Sequence, residues 1–255
     1  MDKKLLASKI RERFIYNNEF TYRELYDFYK LNEPNLKENT LKWRIWKLKQ
    51  DNIITSIKKG VYCLSNGTTF KPIISNKIKS IYKKINKQFP YADYCIWETK
   101  WLNSFMIHQP GTYPIILEVE KDAIESIFSY IKNYERNVHL YKAIKNYADL
   151  YIHSDEIIIV KTLVSRSPII EYDGIKVPKL EKILVDLFVD KELYNTYQGL
   201  ELENIYSNVI NGFSINYTTL LGYASRRSSK ENMKNFIRNN YSISNKYFWR
   251  NIDDK

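Results

Sequence analysis

The chain contains only two cysteines in 255 residues, Cys63 and Cys95, and only three histidines. Two cysteines form neither the disulfide framework of a small secreted domain nor a four-cysteine zinc site. No histidine pairs at helical spacing with another metal ligand, and the sequence has no glycine-rich phosphate loop and no nucleophile elbow. We therefore expect no cofactor, no metal and no catalytic site, and we interpret the chain as a binding protein that is not an enzyme.

Long apolar segments are also missing, because no run approaches ~18 apolar residues. The first residues, Met1-Asp2-Lys3-Lys4-Leu5-Leu6, lack the apolar region of a signal peptide. Seven glycines and seven prolines are too few for a collagen-like or low-complexity chain. These absences predict a folded cytoplasmic protein with no membrane partner, and the heavy use of Lys, Asn, Ile and Tyr is typical of an AT-rich bacterial genome.

Positive charge is concentrated near the N-terminus. The formal net charge is +11, and residues 1–60 hold 14 lysines and arginines against 8 acidic residues, a balance of +6. Clustered cations of this kind favour contact with phosphates, although a solubility surface has the same composition.

Residues 1–66 have the pattern of a winged helix-turn-helix. Apolar residues at helical spacing predict a first helix within 3–17, and the capping-box residues Thr21 and Glu24 begin a second helix that ends before Pro34. Two short strands, 53–57 and 60–64, follow a third helix and turn at Lys58-Lys59-Gly60.

The third helix is predicted from Glu38 to Asp51, with Leu41, Ile45 and Leu48 as its buried stripe. Its other face and the turn after it carry donors and cations suited to base edges and phosphates. These candidate DNA contacts are Asn39, Thr40, Lys42, Trp43, Arg44, Lys47, Lys58 and Lys59. Because Trp43 and Trp46 face away from the small core, an alternative is a winged helix that binds a protein through these tryptophans.

The polar stretch 65–69, ended by Pro72, predicts a domain boundary, so that a second domain occupies 74–255. We expect a mixed α/β (α+β) fold with a helical C-terminal third, in which Pro178 is the first residue of a helix. The predicted helices are 74–88, 99–106, 121–133, 199–211, 217–226 and 229–239; the predicted strands are 94–97, 113–119, 138–141, 150–153 and 157–163, with a hairpin at Asp173-Gly174.

Three acidic residues keep an enzymatic alternative open. Asp93, Glu118 and Glu120 resemble, loosely, the carboxylates with which a nuclease holds a metal ion. The favoured interpretation is a solvated strand face, because Glu118 and Glu120 alternate along one strand.

Two segments resemble the AbiEi-type antitoxins of bacterial abortive-infection toxin–antitoxin systems. One is Lys59-Gly60-Val61-Tyr62, at the end of the winged helix, and the other is 178–187, Pro-Lys-Leu-Glu-Lys-Ile-Leu-Val-Asp-Leu, which is similar to a segment of that family's C-terminal domain. Within the second segment, Glu181 and Asp186 match the family, and Lys182 and Asp186 are spaced for a surface ion pair. Residues 97–110 and 216–227 resemble a related branch.

The resemblance implies a winged helix that binds the protein's own operator, a double-stranded DNA, and represses transcription of its operon. It also implies a C-terminal domain that counters a nucleotidyltransferase-like toxin, encoded next door, without a stable complex. Asn39, Lys42, Arg44, Lys47, Lys58 and Lys59 would then contact DNA. From charge alone, Arg166, Arg226 and Arg227 are candidates for a basic patch of the antitoxin domain; arginines that complement a helix C-terminus are the alternative for the last two.

Overall fold

A computed structural model describes residues 5–17, 19–51, 53–65, 69–144 and 156–240, with the backbone alone at 57 and 58. The described residues divide into two compact units. Those within 1–70, 209–222 and 231–255 form the first unit, and those within 71–208 and 223–230 form the second. The strand predicted at 150–153 lies outside the described residues.

The first unit begins with three helices and a three-stranded antiparallel sheet. The elements are α1 (Ala7–Phe14), β1 (Phe20–Thr21), α2 (Tyr22–Asn32), α3 (Glu38–Gln50), β2 (Ile54–Lys58) and β3 (Val61–Leu64). The strand order is β1-β3-β2, with Phe20 opposite Tyr62 and Thr55 opposite Cys63. This order of helices and strands is that of a winged helix-turn-helix, as the sequence predicts.

Local signals account for these elements. The Thr21 hydroxyl accepts the backbone N–H of Glu24, and the Glu24 carboxylate accepts the backbone N–H of Thr21, which completes the predicted capping box. Gly60 has a φ of 76°, which a glycine adopts without strain in the β2–β3 turn. The buried stripe of α3, Leu41, Ile45 and Leu48, packs in one core with residues of α1 and α2.

The second unit is built around a four-stranded mixed sheet. Its strands are β4 (Tyr94–Glu98), β5 (Ile115–Val119), β6 (Val138–Leu140) and β7 (Ile158–Thr162), in the order β4-β5-β7-β6. β4 is antiparallel to β5, whereas β5 and β6 both run parallel to β7. Parallel strands buried on both faces are usually apolar throughout, and β5 is entirely buried.

Helices and a hairpin surround this sheet. They are α4 (Asn76–Gln88), a 3₁₀ helix (Thr99–Phe105), α5 (Ile124–Lys132), the hairpin β8 (Ile169–Tyr172) and β9 (Ile175–Pro178), and α6 (Leu180–Val189). Asp173 and Gly174 both have positive φ in the hairpin turn, as the Asp-Gly signal predicts. The placement of Pro178 at the start of a helix is wrong: it pairs with Ile169 as the last residue of β9, and Lys179 is the N-cap of α6.

Three further helices complete the described chain: α7 (Leu200–Gly212), α8 (Tyr217–Arg226) and α9 (Lys230–Asn240). All lie within a residue or two of their predicted positions, and the fold is mixed α/β with a helical C-terminal region. The predicted boundary between 66 and 74 lies beside the division at Phe70. In contrast to the predicted second domain, residues 209–222 belong to the first unit, where Phe213 packs on Phe70 and Thr218 bonds to Ser56.

Candidate functional site

The exposed surface of α3 is the candidate nucleic-acid interface. We call this surface the α3 face, and it consists of Asn39, Thr40, Lys42, Trp43, Trp46 and Lys47. Trp43 and Trp46 are 48% and 53% exposed, which confirms that both tryptophans face away from the core. Asn39, Trp43 and Trp46 are spaced i, i+4 and i+7, so they form one stripe along the helix.

Arg44 does not belong to this face, and its predicted exposure is wrong. Its side chain is only 5% exposed, its Nη2 lies 2.6 Å from Glu33 Oε2, and its guanidinium lies 4.8 Å from the centre of the Tyr29 ring. Arg44 lies on the side of α3 that packs against α2. There the Glu33 carboxylate and the Tyr29 ring compensate for the burial of the guanidinium charge.

The lysines of the α3 face remain accessible although acidic neighbours lie near them. Lys42 Nζ is 4.0 Å from Glu38, a separation that gives a weak surface pair, and Lys47 Nζ is 2.9 Å from Asp51. Lys59 is exposed in the β2–β3 turn. The side chain of Lys58 lies outside the described residues.

The predicted basic patch of the second unit is only partly present. Arg166, with a φ of 55°, and Arg226 are both exposed. Arg227 is not a patch residue, because its Nη1 and Nη2 lie 2.5 Å from Asp186 Oδ1 and Asp190 Oδ1. Both carboxylates neutralise its charge, and the pKa of Arg227 lies above its ordinary value despite partial burial.

Arg227 is part of a group that we call the buried ionic cluster, which comprises Glu118, Lys161, Lys182, Asp186, Asp190 and Arg227. The strand register brings two members of this cluster together. Cys95 of β4 is opposite Glu118 of β5, and Glu118 is opposite Lys161 of β7. Residues paired in register project from the same face.

Helix α6 and its C-cap residue, Asp190, supply groups that neutralise Glu118 and Lys161. Lys182 Nζ contacts Glu118 and lies 2.5 Å from Asp186 Oδ2, and Lys161 Nζ lies 2.5 Å from Asp190 Oδ2. The Tyr223 hydroxyl donates to Asp186 Oδ1 at 2.9 Å. With three carboxylates and three cations, the cluster has no net charge.

The pKa values within the cluster show that its charges stabilise one another. Burial opposes the charged form of Lys182, but Asp186 and Glu118 outweigh it and hold the pKa of Lys182 well above its ordinary value. Burial likewise opposes ionisation of Asp186, yet the surrounding cations, Lys182 first, lower the pKa of that carboxyl. Burial raises the pKa of Tyr223 to about 12. These groups therefore stay ionised, or protonated in the case of Tyr223, across the neutral range.

The three acidic residues of the nuclease alternative occupy different environments. Glu118 is fully buried against Lys182, so a solvated strand face is wrong for this residue. Glu120 follows the end of β5, where its Oε1 accepts the backbone N–H of Asp93 at 3.0 Å. Asp93 itself pairs with Lys176 at 2.9 Å. Among the described residues, no group of three or more His, Cys, Asp or Glu side chains is arranged to hold a metal ion.

The Lys182–Asp186 pair was also expected at the surface, and this expectation is wrong because neither side chain is more than 1% exposed. Glu181, the other residue that matches the antitoxin segment, is buried too. Sequence reasoning missed Lys161, Asp190 and Tyr223 altogether. The available signal was Lys161, which directly follows the apolar run 157–160 inside the predicted strand 157–163, because a lysine buried in a strand requires a carboxylate partner.

The sequence profile of a family described as a family of unknown function (DUF6577) matches residues 40–243. Because the match covers more than half of the 255 residues, the chain belongs to this family. The matched segment contains most of the α3 face and the whole buried ionic cluster. No curated protein matches the chain. None of the described helices is long and apolar enough to cross a membrane.

Proposed function

We propose that this member of the DUF6577 family is a transcriptional regulator that binds double-stranded DNA, its own operator, through the α3 face and the β2–β3 turn. The observation that carries the proposal is the winged-helix order of elements together with an α3 whose outer face presents Asn39, Thr40, Lys42 and Lys47 beside two partly exposed tryptophans. In such folds the recognition helix enters the major groove and cations beside it contact phosphates.

The charge of this region supports DNA as the partner. Residues 1–60 carry a net +6, and Lys42, Lys47 and Lys59 lie on or beside the proposed contact surface. A surface of this kind binds phosphates by releasing the counterions that surround DNA. We place this activity in the bacterial cytoplasm, where the operator is accessible.

We further propose that the second unit acts as the antitoxin of an abortive-infection toxin–antitoxin system, against a nucleotidyltransferase-like toxin and without a stable complex. This part rests on the resemblance of 178–187 to the AbiEi-type antitoxins. In the structure this segment contains Lys182 and Asp186 of the buried ionic cluster, so we assign it to maintenance of the fold. Exposed Arg166 and Arg226 remain the candidates for contact with a toxin or its substrate.

The DNA proposal is tested with the double variant Lys42→Glu, Lys47→Glu and fluorescence anisotropy on the DNA upstream of the gene. We expect affinity to fall, and the dependence of log K on log salt to decrease by about one for each lost phosphate contact. Lys83→Glu with Lys87→Glu is the matched control, since both lysines are exposed on α4 and the charge change is the same. Equal losses in the two double variants would contradict the assignment of the α3 face.

A second function is favoured by the exposed tryptophans. Side chains as large as Trp43 and Trp46, about half exposed on one helix, are typical of residues that dominate protein interfaces. In that case Trp43→Ala or Trp46→Ala would abolish binding to a protein partner while the wild-type protein has no preference for its upstream DNA.

A further inference from the structure

The α3 face lacks the side chain that most often recognises guanine. Arginine or lysine bonded to guanine O6 and N7 is the commonest specific contact in the major groove, and only arginine presents a fixed fork of donors to these two atoms. Arg44 is the only arginine of α3, and it is buried against Glu33 and the ring of Tyr29. Release of Arg44 toward DNA would leave both interactions broken, so α3 meets the groove without a guanidinium.

The groups that α3 does expose match the other base pair. Asn39 lies in the first turn of α3, the part of a recognition helix that contacts base edges, and its amide suits adenine N6 and N7. Thr40, in the same turn, carries a methyl group suited to the thymine C5 methyl. Trp43 and Trp46 continue the stripe with apolar surface that is about half exposed in the free protein.

The remaining cations are better placed for phosphates than for bases. Lys42 and Lys47 each lie beside a carboxylate, Glu38 at 4.0 Å and Asp51 at 2.9 Å, and flank the Asn39–Trp43–Trp46 stripe. A lysine ammonium is a flexible point charge without the fixed fork of an arginine, so it contributes less to discrimination between bases.

We infer that α3 selects A·T base pairs, with Asn39 on adenine and with Trp43 and Trp46, aided by Thr40, on thymine C5 methyl groups. The inference rests on the proposed function, because it specifies which bases the same surface contacts. The predicted contact buries the C5 methyl group of thymine. This methyl group takes no part in base pairing, so it can be removed from the DNA without disrupting the duplex.

The test uses the full-length protein, a scrambled duplex and three fluorescein-labelled duplexes of the upstream DNA: unmodified, with every thymine replaced by deoxyuracil, and with every guanine replaced by 7-deazaguanine. Deoxyuracil lacks only the methyl group, and 7-deazaguanine lacks the N7 acceptor. We expect deoxyuracil to weaken binding by about fourfold for each buried methyl. The 7-deazaguanine duplex should bind as tightly as the unmodified one.

The tryptophans are tested by the double variant Trp43→Ala, Trp46→Ala, which should bind the thymine and deoxyuracil duplexes with more similar affinities than the wild type does. Tyr91→Ala is the control, because Tyr91 is a fully exposed aromatic of the second unit and its loss should preserve the discrimination. Asn39→Ala should relax the preference for adenine at one position of the site.

The possible failures are distinguishable. Equal binding to thymine and deoxyuracil duplexes would overturn A·T selection, whether or not 7-deazaguanine weakens binding. A preference for the upstream over the scrambled duplex would then leave the proposed DNA-binding function standing. Equal binding of the wild type to upstream and scrambled DNA would overturn both.

Discussion

The α3 face and the buried ionic cluster both contain lysines, yet the environments of these lysines are opposite. In the cluster, Lys182 is 0% exposed and contacts two carboxylates, Glu118 and Asp186. On the α3 face, Lys42 is mostly exposed, and its ion pair with Glu38 is long, with 4.0 Å between Nζ and the carboxylate oxygen. Buried charges require partners within the protein, whereas exposed and weakly paired charges remain available to an external partner. The difference supports a structural role for the cluster and the proposal that the α3 face binds DNA.

The largest effect is expected from Lys182→Met, which leaves Glu118 and Asp186 buried with one cation fewer. Removal of one partner from a buried ion pair costs about 3–5 kcal/mol. Lys42→Met makes the same chemical change on the α3 face and should alter the free energy of unfolding by less than about 0.5 kcal/mol. Denaturant unfolding of both variants measures the contrast, and similar losses at the two positions would contradict it.

The contribution of the buried ionic cluster to the free energy of unfolding depends on pH. The pKa of Asp186 is lowered in the folded state, so its contribution is complete above the unfolded value near 3.8 and is lost as the pH falls through the folded value. The pKa of Lys182 is raised, so its contribution is complete below the ordinary value near 10.5 and is lost as the pH rises through the folded value. We therefore expect a stability plateau between these limits.

Unfolding curves across the acid limb test the contribution of Asp186. Asp186→Asn should be less stable than the wild type at neutral pH but should lose less on acidification, because the titrating group is gone. Asp93→Asn is the control, since Asp93 is an exposed partner of Lys176 and its variant should follow the wild-type curve. If Asp186→Asn loses as much unfolding free energy on acidification as the wild type does, a group other than Asp186 causes the acid dependence.

A smaller effect on the free energy of unfolding is expected from Arg44→Met, which removes a buried charge whose partner is partly exposed to solvent. Arg44 is buried but its partner Glu33 is half exposed, so loss of the pair and of the contact with Tyr29 should cost about 1–2 kcal/mol. The preference for upstream over scrambled DNA should survive, because Arg44 is not on the α3 face. Loss of that preference in a folded Arg44→Met protein would indicate that Arg44 contacts DNA and would contradict its exclusion from the α3 face.

Elements with short-range signals were predictable from the sequence. The capping box at Thr21 and Glu24, the Asp173-Gly174 turn and the helix 217–226 depend on residues within a few positions of one another. The apolar stripe of α3 likewise indicated which face is buried, so the exposure of Trp43 and Trp46 was foreseen.

The long-range pairings were not predictable, and they caused the errors. Glu118 and Lys182 are 64 positions apart, and Asp186 and Arg227 are 41 positions apart, so no local pattern indicates that they meet. Charged residues are usually exposed, which favoured a surface location for Glu118, Asp186 and Arg227. Arg44 was misplaced for the same reason, because its partner Glu33 lies in the segment between α2 and α3 and not on α3 itself.

Recognition of operator DNA by α3 is tested by fluorescence anisotropy of the full-length protein on its own upstream DNA and on a scrambled duplex at two salt concentrations. We expect tighter binding to the upstream DNA at both concentrations, with affinity for both duplexes falling as salt rises. Weak binding that is equal on both duplexes and disappears at the higher salt would contradict a regulator that recognises its operator through α3.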